Sequence, residues 1–286
     1  MCVGIIRVAS PLMVRYIYYN VNVIGCQYGK KEVMQTTTHT LTLHGYRLHY
    51  RVVGTGSPLV LVHGFGVSGH VWQRVLPYLA QEYQVFVVDL PGYGRSTYRE
   101  TRAPWQLRAM APLLAAWLCH MQLSAVHLVG HSMGGAIAIH LATHAPELVK
   151  SLTLIDAAGM PFRSTFPALA LRSARSFSQR GNGSYPVALW RDIARPRLRL
   201  ILRNARQMVT SDFRVELTEL EQRALPTLIV WGEQDVLVPL PLGYELHQAL
   251  PHATFVIIPT SGHRPMLAQP ALISGILLAF LEEQEN

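Results

Sequence analysis

A serine between two glycines stands directly after a short, mostly apolar run near the middle of the chain. The run is Val126–Val129, the pentapeptide Gly-His-Ser-Met-Gly follows it at 130–134, and small residues at helical spacing come next. In this order, a sharp turn between strand and helix exposes the serine hydroxyl, and the glycines leave room where the two elements approach. The pattern predicts a nucleophile at Ser132; the alternative is an ordinary turn rich in glycine and serine.

The segments that would position this serine alternate between strand and helix patterns along most of the chain. Residues 40–50 alternate around a central glycine, as two paired strands do. Continuous apolar runs separated by helical patterns then recur, as expected for strands buried on both faces of a parallel sheet. These runs are residues 58–63, 85–89, 126–129, 152–156, 228–231 and 255–258. We therefore predict an α/β fold with a mostly parallel central sheet flanked by helices.

Five motifs spread over the chain occur in the order seen in the α/β-hydrolase superfamily. They are His63-Gly64-Phe65-Gly66, Asp89-Leu90-Pro91-Gly92-Tyr93-Gly94-Arg95-Ser96, Gly130-His131-Ser132-Met133-Gly134-Gly135, Trp231-Gly232-Glu233-Gln234-Asp235 and Ser261-Gly262-His263. From about Thr36 to its C-terminus, the chain therefore resembles a serine-nucleophile, esterase- or lipase-like member of that superfamily. The resemblance implies the α/β-hydrolase fold with an inserted helical cap.

The resemblance also implies a set of catalytic groups. In this superfamily, the serine, the acid and the histidine follow one another in that order along the chain. Ser132, Asp235 and His263 match the order, and each follows a predicted strand. Loops at the carboxyl ends of parallel strands open on one edge of the sheet, so we expect the three side chains to converge there. Ser132 is then the nucleophile, His263 the general base and later the acid, and Asp235 the carboxylate that orients His263.

Two other aspartates also end predicted strands. Asp156 occupies the position at which some members of the superfamily carry the acid, whereas Asp235 matches the commoner pattern and is preferred. Asp89 begins the Asp-Leu-Pro-Gly-Tyr-Gly loop, where fixing a turn is the favoured role.

Acyl transfer also needs hydrogen-bond donors for the negative charge that develops on the substrate oxygen. Backbone N–H groups provide such donors without occupying a side chain. The resemblance implies the N–H groups of Met133, the residue after the nucleophile, and of Phe65, which lies between two glycines. We expect these two groups to form the oxyanion hole.

A long segment follows the strand that ends at Asp156. About seventy residues separate it from the strand that starts near Thr227, too many for a simple crossover. The resemblance implies that residues 159–214 form a helical cap over the active site and contribute to substrate binding. The hydrolase core would then comprise residues 36–158 and 215–286.

The predicted cap carries nearly all of the excess positive charge. Eleven arginines and two aspartates between Arg163 and Arg214 give a net charge of +9, while the rest of the chain carries −1. This charge suggests an anionic membrane surface or an acidic substrate as a partner; the alternative is an ordinary solvated surface. No recognition motif accompanies the arginines, so we do not expect nucleic-acid binding.

The first part of the chain, residues 1–35, fits the rest poorly. Val23-Ile24-Gly25-Cys26 resembles a bacterial lipobox, but Asn20 and Asn22 interrupt the apolar stretch that a signal peptide needs. We favour a natural start at Met34, or a disordered N-terminal arm, over a lipid anchor at Cys26.

The composition sets the remaining bounds. Of 286 residues, 50% are hydrophobic and 15% are charged, which is typical of a globular chain. Three cysteines are too few for a disulfide framework, and no apolar run reaches the roughly 18 residues that a membrane-spanning helix needs. We therefore expect a cytoplasmic protein. Neither Cys-x-x-Cys nor His-Glu-x-x-His occurs, so no metal or cofactor is expected.

The predicted catalytic residues indicate acyl-transfer chemistry at a carbonyl, but they do not indicate which bond is cleaved. Our first hypothesis is a serine hydrolase that cleaves a small or medium apolar carboxylic ester through an acyl-enzyme. A carbon–carbon bond hydrolase of the ring-cleavage type uses the same three groups, and a non-catalytic accessory or receptor-like member shares the fold. The sequence leaves the oligomeric state open.

Overall fold

The computed structural model describes residues 3–10, 13–20, 35–98, 106–162, 164–178, 203–207 and 210–285. Within these residues, eleven strands form one sheet. The strands are β1 (Val3–Ser10), β2 (Met13–Asn20), β3 (Thr37–Leu43), β4 (Tyr46–Val53), β5 (Ser57–Val62), β6 (Tyr83–Val88), β7 (Thr97–Tyr98), β8 (Val126–His131), β9 (Val149–Ile155), β10 (Thr227–Gly232) and β11 (Thr254–Ile258). They lie in the order β2-β1-β11-β10-β9-β8-β5-β6-β4-β3, and β7 pairs with β4.

The strands from β6 through β5, β8, β9 and β10 to β11 are parallel to one another. Successive residues of these strands point to opposite faces of the sheet. In β5, Leu59 and Leu61 pack in one apolar cluster, while Val60 and Val62 pack in another. A strand covered on both faces needs an apolar side chain at nearly every position, which explains the continuous apolar runs. The predicted mostly parallel sheet is confirmed.

Helices cover both faces of this sheet. They are α1 (Leu76–Leu79), α2 (Leu107–His120), α3 (Met133–His144), α4 (Phe166–Ser178), α5 (Arg214–Gln222), α6 (Leu240–Ala249), α7 (Pro265–Ala268) and α8 (Pro270–Glu283). One apolar cluster joins the sheet to α2, α3, α5 and α6, and the other joins it to α1, α7 and α8. The predicted α/β class is therefore confirmed. None of the helices in the described part of the chain is long and apolar enough to cross a membrane.

The N-terminal arm adds an antiparallel hairpin to the sheet. β1 pairs with β2 along its whole length and with β11 on its other side, where Val8 lies opposite Val256. We expected an arm of uncertain status, with disorder as one favoured description, and predicted no strand in it; for residues 3–10 and 13–20 the expectation of disorder is wrong. In the structure its backbone satisfies N–H and C=O groups that β11 would otherwise expose at an edge. Cys26 and the rest of residues 21–34 lie outside the described residues.

The predicted cap, residues 159–214, is described in part. It contains α4, the helical residues 203–207 and the start of α5. The arginines between residues 179 and 202 lie outside the described part of the chain. The domain boundaries and the anionic partner of the cap therefore stay predictions.

Candidate active site

Ser132 lies on the turn between β8 and α3. Its backbone has φ 52° and ψ −118°, a conformation that costs a non-glycine residue about 1–3 kcal/mol. A Cβ on Gly130 would lie 2.5 Å from the carbonyl oxygen of Gly134, and one on Gly134 would lie 2.5 Å from that of Val62. Only glycine fits at these two positions. The Ser132 N–H donates to the carbonyl of Ile155 at 3.0 Å, which ties the turn to β9.

Ser132, His263 and Asp235 form a chain of hydrogen bonds. The His263 Nε2 lies 3.0 Å from the Ser132 Oγ, and the His263 Nδ1 lies 2.7 Å from the Asp235 Oδ2. The three residues are 1%, 2% and 5% exposed, so bulk water does not compete for these contacts. With Nδ1–H donating to the carboxylate, Nε2 is left to accept the serine proton, which is the order that nucleophilic attack requires. The structure thus brings together the three side chains predicted to converge.

The turn after β10 holds Asp235 in place. Its Oδ1 accepts hydrogen bonds from the N–H groups of Leu237 and Val238, at 2.7 and 3.0 Å. The Trp231 Nε1 donates to the carbonyl of Val238 at 3.0 Å and fixes the far end of the same turn. One carboxylate oxygen is therefore bound to the backbone, and the other is directed at His263.

The two predicted oxyanion donors lie at the ends of β8 and β5. Met133 is the first residue of α3, so its N–H has no acceptor within the helix. Phe65 belongs to the loop after β5. The ring of His63 holds that loop: its Nδ1–H donates to the Gly64 carbonyl at 2.8 Å, and its Nε2 accepts from the Leu90 N–H at 2.9 Å. Sequence reasoning gave His63 no role, although its place at a strand end before glycine was a signal.

His131, the residue before Ser132, was also missed as a site residue. It is 1% exposed, and its Nε2 donates to the carbonyl of His263 at 2.8 Å. Burial and the adjacent His263 ring lower the pKa of His131 well below its usual range, so its imidazole is neutral. His131 therefore anchors the His263 loop without adding charge. The signal in the sequence was its position as the variable residue of Gly-x-Ser.

A sequence model described as the alpha/beta hydrolase family matches residues 59–275, which include Ser132, Asp235 and His263. The chain belongs to the alpha/beta hydrolase family. The family that the five motifs predicted is thereby confirmed.

Two proteins resemble this alpha/beta hydrolase in sequence, and one solved structure resembles it in fold. An uncharacterized protein of Mycobacterium tuberculosis is 30% identical over 89% of this chain and 84% of its own length. A pimeloyl-[acyl-carrier protein] methyl ester esterase of Aeromonas hydrophila subsp. hydrophila is 31% identical over 80% of this chain and 96% of its own length. The crystal structure of a membrane phospholipase A, a bacterial virulence factor, superposes with a TM-score of 0.77 and 27% identity, over 93% of this chain and 90% of that chain.

Described residues of the predicted cap contact neighbours of the candidate site. Ser176 in α4 accepts a hydrogen bond at 2.9 Å from the Nη1 of Arg264, the residue after His263. Asn204 donates to the Tyr93 hydroxyl at 2.9 Å. That hydroxyl in turn lies 4.0 Å from the sulfur of Met133. The described part of the predicted cap thus contacts residues next to His263 and Met133.

Asp89 organises the loop after β6. It is 4% exposed, and its carboxylate accepts from the N–H groups of Gly69 and Arg95 at 2.8 and 2.9 Å and from the His49 ring at 3.1 Å. Burial alone would raise the pKa of Asp89, but these hydrogen bonds and the nearby His63 ring outweigh it and lower the pKa to about 2. The contacts agree with the turn-fixing role favoured for Asp89.

His131, Asp156 and His263 form a compact group of side chains that metals often use. One nitrogen or oxygen from each lies within 4.8 Å of the others. Both nitrogens of His263 already contact Ser132 and Asp235, and the His131 Nε2 is bound to a backbone carbonyl. This arrangement fits a proton relay better than a metal centre.

Proposed function

We propose that this protein is a serine hydrolase that cleaves carboxylic esters through an acyl-enzyme. The observation that carries the proposal is the hydrogen-bonded chain from the strained Ser132 through His263 to Asp235, with contacts of 3.0 and 2.7 Å. The esterase and phospholipase among its relatives support ester hydrolysis.

Acylation begins when the Ser132 Oγ attacks the ester carbonyl carbon and the His263 Nε2 takes the serine proton. The imidazolium that forms is stabilised by the buried Asp235 carboxylate. The negative charge on the carbonyl oxygen is met by the N–H groups of Met133 and Phe65. Collapse of this intermediate breaks the bond to the alcohol oxygen, which leaves with the proton from His263.

Deacylation repeats these steps with water. The His263 Nε2 takes a proton from a water molecule, whose oxygen attacks the acyl carbon. The tetrahedral intermediate uses the same two N–H groups. Its collapse returns the proton to the Ser132 Oγ, and the carboxylic acid is released. Every proton taken by His263 is thus given back within one cycle, and the reaction needs no co-reactant besides water.

The proposed substrate is a small or medium ester with an apolar acyl or alcohol group. Phe65 and Met133 supply apolar side chains beside the two N–H donors, and Tyr93 packs edge-on to Phe65 with ring centroids 6.4 Å apart. Apolar side chains beside the reacting atoms favour apolar groups over charged ones. Two of the relatives named above, the methyl ester esterase and the phospholipase A, are named for the hydrolysis of esters that carry an acyl chain, which supports an apolar acyl group.

The test is labelling with a fluorophosphonate, followed by mass mapping of the modified peptide. We expect Ser132 to be labelled in the wild type and no label in Ser132→Ala. Ser151→Ala is the matched control, because Ser151 also contacts a histidine, with 2.7 Å between its Oγ and the His127 Nδ1. This variant should be labelled like the wild type.

A panel of p-nitrophenyl esters of graded chain length then measures turnover. Hydrolysis that is lost in Ser132→Ala supports the proposal, and the chain-length profile describes the pocket. A folded protein whose Ser132 is unlabelled and that hydrolyses no ester would favour the accessory or receptor-like alternative. Turnover of a ring-cleavage diketone without turnover of any ester would favour the carbon–carbon bond hydrolase.

A further inference from the structure

Asp156 is a buried carboxyl group beside the proposed relay that the mechanism above does not use. It follows β9 directly and is 0% exposed. Its φ of 44° lies in the left-handed region, which aspartate tolerates better than most residues. Its backbone N–H donates to the carbonyl of Val230 at 2.9 Å, so the residue is held between β9 and β10.

The two oxygens of the Asp156 side chain differ in their contacts. Oδ1 accepts a hydrogen bond from the Gly232 N–H at 2.7 Å. Oδ2 is buried and receives no hydrogen bond from any group in the described part of the chain. An ionised carboxylate in such a place would leave charge unsolvated, whereas a protonated carboxyl group has an O–H to donate from Oδ2.

The neighbouring charged group is the carboxylate of Asp235. Gly232 joins the two turns, because its N–H donates to the Asp156 Oδ1 at 2.7 Å and its carbonyl accepts from the Asp235 N–H at 3.1 Å. Asp235 has donors on both oxygens: the N–H groups of Leu237 and Val238 on Oδ1, and His263 on Oδ2. Two adjacent buried carboxyl groups do not both ionise, and the charge stays on the one with more donors. Asp235 is that group.

The charged and titratable neighbours of Asp156 point the same way. They are Asp235, His263, the neutral His131 and Arg264. Burial and Asp235 raise the pKa of Asp156 well above its usual range, although the Gly232 N–H and the Arg264 guanidinium oppose the shift.

We propose that Asp156 is a positioning residue that stays protonated at neutral pH and donates a hydrogen bond from Oδ2 to the Asp235 carboxylate. Its role in turnover rests on the proposed function, because it acts on Asp235 and through Asp235 on His263. The donated hydrogen bond holds the Asp235 carboxylate in line with the His263 Nδ1, and it also takes up part of the negative charge of that carboxylate. Asp156, the alternative acid in the sequence analysis, would thus act by holding Asp235 in position.

The protonation state is tested by infrared difference spectra of wild type minus Asp156→Asn at pH 7. We expect the carbonyl stretching band of a protonated carboxyl group, shifted in D₂O. Asp89→Asn is the matched control: Asp89 is also buried but ionised, so its difference spectrum should show carboxylate bands only. Absence of the protonated-carboxyl band overturns the proposal. If Asp156→Asn does not fold, the same band is sought in the wild type alone.

The positioning role is tested by the pH dependence of kcat/KM in two variants. Asp156→Ala removes the donor and lets the Asp235 carboxylate move out of line with His263, so kcat should fall by about 10- to 100-fold, as expected for a lost hydrogen bond to a charged group, with KM changed less than about twofold. The acidic limb of its profile should move to higher pH, because the unsupported Asp235 stabilises the imidazolium more strongly. Asp156→Asn keeps an N–H donor toward Asp235 and should recover most of the lost kcat, with the limb near the wild-type pH.

The outcomes separate this proposal from the proposed function. A downward shift of the acidic limb in Asp156→Asn would mean that an ionised carboxylate has been removed, and it would overturn the proposal. Equal kcat and equal limbs in Asp156→Ala and wild type would also overturn it. If the wild type hydrolyses no ester at all, the proposed function fails, while the infrared band still decides whether Asp156 is protonated against Asp235.

Discussion

Two groups of side chains, each made of a serine, a histidine and a carboxylate joined by hydrogen bonds, lie at opposite ends of the parallel strands. The elbow relay, at the carboxyl ends of the strands, is Ser132–His263–Asp235, and the strand relay, at the amino ends, is Ser151–His127–Glu285. The serine-to-imidazole contact is 3.0 Å in the elbow relay and 2.7 Å in the strand relay, and the imidazole-to-carboxylate contact is 2.7 Å in both. Residue types and distances alone therefore do not separate the proposed catalytic site from its counterpart.

The position of the serine in the backbone does separate them. Both serines are 1% exposed, so burial is no guide. Ser132 stands at φ 52°, immediately before α3, where the first N–H groups of the helix have no intrahelical acceptor. Ser151 lies inside β9, directly opposite His127 of β8. Backbone N–H groups in a ladder are already paired, so the strand relay has no donors to offer a developing oxyanion.

The carboxylates differ as well. The Asp235 side chain is 0% exposed, whereas that of Glu285 is 35% exposed and also pairs with Lys150 at 2.9 Å. The two histidines also use different ring nitrogens: the serine contacts Nε2 in the elbow relay and Nδ1 in the strand relay. We infer that the strand relay is structural and holds the C-terminal end of the chain against the sheet, whereas the elbow relay is proposed to be catalytic.

The largest contrast is expected between the two serines. Ser132→Ala removes the nucleophile and should lower kcat for p-nitrophenyl esters by about 10⁴- to 10⁶-fold. Ser151→Ala should keep kcat within about twofold, because its hydroxyl is remote from the reacting atoms. Steady-state kinetics on both purified variants check this. Comparable losses in the two would remove the distinction between the relays.

The two acids should differ nearly as much. Asp235→Asn disturbs the tautomer of His263, because an amide N–H cannot accept the Nδ1 proton, and it should lower kcat by about 10⁴-fold with little change in KM. Glu285→Gln makes the equivalent change in the strand relay and should leave kcat near the wild-type value. Parallel kcat and KM measurements decide the matter; an active Asp235→Asn would shift the acid's role to Asp156.

The elbow relay could be predicted from the sequence because its parts carry local signals. The run Val126–Val129 predicts a buried strand, the glycines around Ser132 predict a sharp turn, and each motif follows a strand of its own. The topology of parallel strands then brings the loops together. Side chains that are far apart in the sequence can thus be predicted to converge from local patterns, because each follows a strand of the same parallel sheet.

Other features had no local signal. The attachment of the β1–β2 hairpin to the sheet depends on pairing with β11, which lies about 250 residues away along the chain. The support of Asp235 by Asp156 depends on two turns that approach only in the folded sheet. The strand relay joins β8 and β9 to Glu285, and nothing near His127 or Ser151 in the sequence marks their partner.

A smaller and different effect is expected at the centre of the strand relay. His127→Ala leaves Ser151 and Glu285 without their partner and opens a cavity beside Tyr83, whose ring centroid is 5.6 Å from that of His127. We expect the free energy of unfolding to fall by about 2–4 kcal/mol, measured by urea denaturation. The kcat of the folded variant at 25 °C should stay within about twofold of the wild type. A lower kcat without a loss of stability would contradict a purely structural role.

The smallest effect is expected from Glu285→Gln, and its pH dependence identifies its cause. Hydrogen bonds from His127 and Lys150 lower the pKa of Glu285 to about 2. Because the pKa in the unfolded chain is about 4.3, the stabilisation is present above that pH and is lost as the pH falls towards 2. At pH 7, Glu285→Gln should lower the free energy of unfolding by about 1 kcal/mol, since the carboxylate is partly exposed and screened. Urea denaturation at pH 7, 5 and 3 should show the difference shrinking only below about pH 4. A difference that stays constant over this range would mean that the charge on Glu285 contributes nothing, and that hydrogen bonds to an uncharged side chain hold the strand relay together.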